Sequence, residues 1–108
     1  MGKFVVTTRS NGEFQFNLKA DNGQTILTSE GYKTKAACMN GIESVKKNSA
    51  TEARIEKKEA KNGKFHFNLK ATNSQVIGSS QMYESEKSCD NGMASVMKNA
   101  PDASVVEE

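Results

Sequence analysis

The feature that most restricts how this chain can fold is an internal repeat. Asn11 to Ala20 reads NGEFQFNLKA, and fifty-one residues later Asn62 to Ala71 reads NGKFHFNLKA. Sliding the chain by that interval aligns residues 11–50 with 62–101 without a gap, and 20 of the 40 positions are identical. Cys38 falls on Cys89, Tyr32 on Tyr83, and SVKKN (44–48) on SVMKN (95–99). A chain of 108 residues leaves about fifty for each copy, which is too little core for either to stand alone, and the connection is too short for a free linker. The expectation is one domain over 1–108 made of two units, repeat one over about 1–51 and repeat two over about 52–108, related by an approximate two-fold axis.

Within each unit the hydrophobic period changes midway. Phe14, Phe16, Leu18 and Ala20 alternate with Gln15, Asn17 and Lys19, as Phe65, Phe67, Leu69 and Ala71 alternate with His66, Asn68 and Lys70. This is the two-residue period of a strand with one face buried. Asn11-Gly12 and Asn62-Gly63 precede these strands, the dipeptide best suited to the positive φ of a tight hairpin. FVVTT before the first turn and ARIEKK before the second supply partner strands. DNGQ and TNSQ form further turns, leading into short strands at 25–28 and 76–79. From residue 34 the period lengthens. Cys38, Gly41, Ile42 and Val45, like Cys89, Gly92, Met93 and Val96, fall at the i, i+3, i+4, i+7 spacing of an amphipathic helix. Thr34 and Ser85 stand where an N-cap hydroxyl belongs, Asn99 and Pro101 close the second helix, and SVVEE offers a last strand. The predicted fold is α+β: two tandem β3-α repeats in the order β-β-β-α-β-β-β-α-β, a single antiparallel sheet with two helices on one face.

The recurring pattern of Asn-Gly, Phe-x-Phe-x-Leu-Lys-Ala, Asn-Gly/Ser, Ile, Ser-x-x-Tyr and a helix carrying Asn-Gly and Ser-Val-Lys-Lys-Asn resembles the YegP-like family of small bacterial proteins. It matches twice, over about residues 3–106. The resemblance implies units that pair into one sheet and exchange their terminal strands; it attaches no activity, ligand or catalytic residue to the motif. The second copy departs from it at Ser74, where the first has Gly23.

Fifteen Lys and Arg against 13 Asp and Glu give a net charge of +2, too little to gather polyanions or anionic lipid by field alone. Two cysteines and an opening MGKFVVTTRS without an apolar h-region predict a cytoplasmic protein with no membrane association. Val6 stands where a myristoylation signal wants Ser or Thr.

The candidate chemistry is sparse. The four phenylalanines share a face with Leu18 and Leu69, so they are read as core and not as base-stacking platforms. The other face gathers Gln15, Asn17, Lys19, His66, Asn68 and Lys70. Its simplest reading is a solvated sheet surface. It is also the best binding candidate, because the recurring Asn and Lys form a two-fold patch able to hold an anionic ligand, an acidic peptide or a phosphate backbone. A lone His66 and two distant cysteines predict neither a metal site nor a cofactor. Cys38 and Cys89 lie on the apolar helix stripe and lack a base to activate them. Within the aligned region no carboxylate is kept by both copies: Glu13, Asp21, Glu30 and Glu43 meet Lys64, Thr72, Gln81 and Ala94, and Glu84, Glu86 and Asp90 meet Lys33, Lys35 and Met39. Asn40-Gly41 and Asn91-Gly92 recur in mid-helix and are read as points where glycine lets the helix pack close to the sheet, the alternative being that the asparagine amides face a ligand or a loop. Tyr32 and Tyr83 are read as seals at the strand-to-helix corner. The chain is expected to be a monomeric, non-catalytic binding or interaction module of unassigned partner. A nucleic-acid-associated protein using the polar face is the first alternative, and a small enzyme with an asymmetric site between the repeats the second.

Overall fold

The computed structural model describes residues 2–107. Seven strands and two helices follow one another as β1 (Lys3–Thr8), β2 (Phe14–Lys19), β3 (Thr25–Thr28), α1 (Lys35–Asn48), β4 (Ile55–Glu59), β5 (Phe65–Lys70), β6 (Val76–Ser79), α2 (Glu86–Asn99) and β7 (Ser104–Glu107). A short 3-10 turn precedes β4 at Glu52–Arg54, and another precedes β7 at Ala100–Asp102. The strands form one sheet in the order β4-β5-β6-β3-β2-β1-β7. Each repeat contributes a three-stranded meander, and the meanders meet at the β3–β6 seam, where Thr28 pairs with Ser79.

The sheet is mixed. β7 runs parallel to β1, with Val105 beside Phe4 and Val106 beside Val5, whereas all other neighbours are antiparallel. The physical reason lies in where α2 ends. The helix packs over β3 and β5, and the 3-10 turn after it lies against α1, so the chain emerges above repeat one and the free edge there is that of β1. This is the strand exchange implied by the family resemblance. The strand after α1 serves repeat two, and the strand after α2 serves repeat one. An ion pair from Lys35 on α1 to Glu107 on β7 fastens the crossing.

All four hairpin loops use one device. At Arg9–Glu13, Ala20–Gln24, Ala60–Lys64 and Ala71–Gln75, the first residue's amide donates to the fifth residue's carbonyl. The Asn at the third position accepts from the fifth amide at 3.0–3.1 Å. Among the described residues only the fourth position takes positive φ: Gly12 (85°), Gly23 (83°), Gly63 (81°) and Ser74 (71°). These loops are thus type I turns followed by a left-handed residue. Asn11 and Asn62 act through their side chains, not through a left-handed backbone. Ser74 keeps the turn of its counterpart Gly23 at a steric cost of about 1–2 kcal/mol for a residue with a Cβ.

Both helices cover one face. Thr34 and Ser85 cap them by accepting from the amides of Ala37 and Ser88 at 3.0 and 3.1 Å. The predicted stripe is buried: Cys38, Gly41, Ile42 and Val45 on α1, and Cys89, Gly92 and Val96 on α2, with Met93 half-buried beside them. Beneath lie Phe4, Phe16, Leu18, Leu27, Phe67 and Leu69, all fully shielded from solvent. Phe4 meets Phe16 edge-on at 5.6 Å, and Phe14 and Phe65 flank the same core. Each helix spans the seam, α1 reaching β5 and β6 as well as its own β2, and α2 reaching β3 as well as β5. At that seam Leu27 lies over Gly78, its own counterpart in the other repeat: a Cβ on Gly78 would stand 2.8 Å from the Leu27 side chain. One large and one absent side chain fill a space near the pseudo-two-fold axis that two leucines would overfill.

The mid-helix glycines are contact points. A Cβ on Gly41 would stand 2.3 Å from the Tyr32 hydroxyl, and one on Gly92 equally close to that of Tyr83. The tyrosine rings stack on Phe16 and Phe67 at 6.2 and 6.3 Å, sealing the strand-to-helix corner.

Candidate binding face

Strand parity builds the helix-free face. Because Phe16, Leu18, Phe67 and Leu69 turn toward the helices, Gln15, Asn17, Lys19, His66, Asn68 and Lys70 turn away, and all six are half-buried. The pairings Asn17↔Thr28, Thr28↔Ser79 and Ser79↔Asn68 draw one polar row across the seam. At the ordinary strand spacing this row is about 14 Å long. β2 and β5 run antiparallel to each other, so Lys19 and Lys70 flank the row on opposite sides. The sequence grouped these residues correctly by face. Asn11, Gly12, Asn62 and Gly63 sit instead at the exposed tips of the loops.

The two halves of the face differ in charge. Lys70 Nζ lies 3.0 Å from Glu56 Oε1 on the neighbouring β4, and Lys58 Nζ lies 3.5 Å from the same oxygen. The hydrogen bond from Lys70, followed by that lysine's charge, holds the Glu56 carboxyl below its ordinary range. The position equivalent to Glu56 in repeat one is Val5, which is only 3 % exposed. Lys19 therefore has no neighbouring-strand carboxylate and makes no ion pair among the described residues. Lys3 stands directly across from it on β1. Other polar groups are engaged: Ser79 Oγ donates to Asn68 Oδ1 at 2.7 Å, and Arg9 Nε donates to Gln15 Oε1 at 2.5 Å.

A second pair of polar surfaces was not foreseen. Asn40, Ser44, Lys47 and Asn48 on α1 face the β5–β6 turn at Thr72 and Asn73 across a groove of about 420 Å³. The equivalent flank of α2, with Asn91, Ser95, Lys98 and Asn99, faces the β2–β3 turn at Asp21 and Asn22. Each groove joins the helix of one repeat to the turn of the other. The identities Asn40/Asn91, Ser44/Ser95 and Lys47/Lys98 were visible in the alignment, but the crossing that opposes them was not. Asn48 and Asn99 are committed locally, each donating to the carbonyl four residues back at 2.8 Å.

Nucleophilic chemistry finds no support in the thiols. Cys38 and Cys89 are free and fully buried, and burial pushes both thiols above their ordinary value, away from the thiolate that attack requires. Burial likewise raises the Tyr32 and Tyr83 hydroxyls. Among the described residues no three His, Cys, Asp or Glu side chains converge as metal ligands, and no helix is long and apolar enough to cross a membrane.

The profile of the domain of unknown function DUF1508 matches the chain twice, over residues 10–56 and 60–107. The chain is 58 % identical over 106 residues to a UPF0339 protein encoded in the 5′ region of the ptx operon of Stutzerimonas stutzeri, covering 98 % of this chain and 96 % of that one. It is 53 % identical over 104 residues to the UPF0339 protein YegP of Escherichia coli K12, covering 96 % and 94 % respectively. The solution NMR structure of E. coli YegP, described as a protein of unknown function, superposes with a TM-score of 0.94 at 51 % identity, over 99 % of this chain and 92 % of that one. That of the Shewanella oneidensis UPF0339 protein gives 0.93 at 52 % identity, over 98 % and 90 %.

Proposed function

This chain belongs to the DUF1508 family in its two-repeat form, and on that premise we propose that it is a non-catalytic, cytoplasmic binding module, monomeric, whose ligand-contacting surface is the helix-free face of the sheet. The observation that carries the reading is the continuous polar row Asn17–Thr28–Ser79–Asn68, flanked by Lys19 and Lys70 on a face that no helix covers. Amides and hydroxyls in line along a rigid sheet offer both donors and acceptors, and the lysines add attraction for an anion. Thiols buried and protonated within the core fit a reducing compartment and a structural role.

Titration of the isotope-labelled protein with acidic peptide and with oligonucleotide tests the surface. Amide shifts should concentrate on residues of the helix-free face, and Lys19→Ala with Lys70→Ala should abolish them. Shifts confined to the helix side, or unaffected by the double substitution, would remove the open face from consideration.

A further inference from the structure

We propose that the ligand of the open face is an extended acidic peptide segment with an apolar side chain beside its carboxylate, seated on repeat one at Lys3, Lys19 and Val106. The inference rests on the open-face reading above and starts from the difference between the repeats. In repeat two the face holds its own carboxylate: Glu56, on the strand next to Lys70, takes both Lys70 and Lys58. In repeat one that position is Val5, while Lys3 and Lys19 stand directly opposite each other across β1 and β2. Like charges so placed repel and destabilise a strand pair. No described carboxylate bridges them, and Asp21, in the turn beyond Lys19, is engaged in an interaction of its own. A carboxylate supplied from outside would do for Lys3 and Lys19 what Glu56 does for Lys58 and Lys70.

The apolar neighbours choose peptide over nucleic acid. Val106 lies in register with Val5 on the outermost strand and is 39 % exposed, one of two large apolar side chains among the described residues to be so. Val106 follows Ser104, the partner of Lys3, by two residues along β7, about 6.6 Å, which is also the spacing of same-side residues in an extended ligand. A segment alternating acid and apolar residue on one side would set its carboxylate between the lysines and its apolar group on Val106. A nucleic-acid strand would place planar bases beside its phosphates, and repeat one's open face, with Lys3, Val5, Gln15, Asn17, Lys19 and Val106, has no aromatic ring to stack them.

The test uses the full-length labelled protein, a blocked octapeptide of repeated Glu-x-Val-x pattern with x serine, and oligothymidylate of eight nucleotides. The peptide should shift the amides of Lys3, Val5, Lys19 and Val106 with one site per chain, and Lys19→Gln should weaken it three- to five-fold, the scale of one exposed ion pair. Glu56→Val should free Lys70 and raise the count to two sites, and Val5→Glu should remove the first. Glu56 is exposed on a strand, so Glu56→Val carries the test even if Val5→Glu fails to fold. Equal shifts around Lys19 and Lys70 in the parent chain, or a single site in Glu56→Val, overturn the inference while leaving open-face binding intact. Shifts at Lys19 from oligothymidylate with the peptide silent overturn the peptide in the same way. No open-face shift with either probe overturns both readings.

Discussion

Replacing Gly41 with alanine sets two opposed effects against each other. In an exposed helix interior the change is favourable by about 1 kcal/mol, because alanine loses less backbone freedom on folding. Here the new Cβ would stand 2.3 Å from Tyr32 Oη, 2.7 Å from its Cζ and 3.2 Å from Phe16 Cε2. Carbon contacts are comfortable at about 3.5–4.0 Å, so the ring must retreat by about 1 Å. It has little room to do so. The ring stacks on Phe16, and the Tyr32 backbone exchanges two hydrogen bonds of 2.7 Å with Phe14. Overpacking of this kind costs about 1–3 kcal/mol, which outweighs the propensity gain and leaves a net loss of about 1 kcal/mol. For a domain of this size that is a fall in melting temperature of about 4 °C. Gly92→Ala should behave alike, since the same three distances recur at Tyr83 and Phe67. The assay is urea denaturation with and without Tyr32→Ala. In the parent chain Gly41→Ala should destabilise; in the Tyr32→Ala background its sign should reverse. A Gly41→Ala protein that melts higher than its parent, with unchanged amide spectra, would refute the claim that the glycine is there for the tyrosine.

Other outcomes follow from single contacts. Gly78→Ala should cost about 1–2 kcal/mol by pressing on Leu27, and the double variant with Leu27→Ala should show a favourable coupling of at least about 0.5 kcal/mol in a denaturation cycle. Ser74→Gly should stabilise by about 1 kcal/mol by relieving a left-handed residue, read in the same denaturation assay against Gly23→Ser, which should lose a similar amount. Thr34→Ala and Ser85→Ala should each cost about 1 kcal/mol through a lost cap, and faster hydrogen exchange at Ala37 and Ser88 would report it. The Glu56 carboxyl, held low by Lys70, contributes stability that is present above its unfolded value and is lost as pH falls through its folded one. Carbon-detected titration should therefore place Glu56 below ordinary glutamates, and Lys70→Ala should move it up; an unmoved Glu56 would mean that the pair does not persist in solution.

The sequence alone determined whatever depends on neighbours along the chain. The two-residue period of Phe14 to Ala20, the helical spacing from Cys38 to Val45, the capping hydroxyls of Thr34 and Ser85 and the sorting of residues between the two sheet faces are local rules, and the chain states them twice, once in each repeat. Tertiary structure decided what depends on pairs distant in sequence. Val106 lies beside Val5 because α2 delivers the chain above repeat one, and no periodicity in SVVEE records that parallel edge. Leu27 and Gly78 look like an unremarkable mismatch until the β3–β6 seam brings them into one space. Lys19 and Lys70 read as equivalents, yet one has a carboxylate on the next strand and the other a valine, because charge partners are chosen across strands and not along them. Local geometry is encoded residue by residue. Which surfaces meet is set by how the two repeats bury each other, each helix packing across the β3–β6 seam onto the strands of the other repeat.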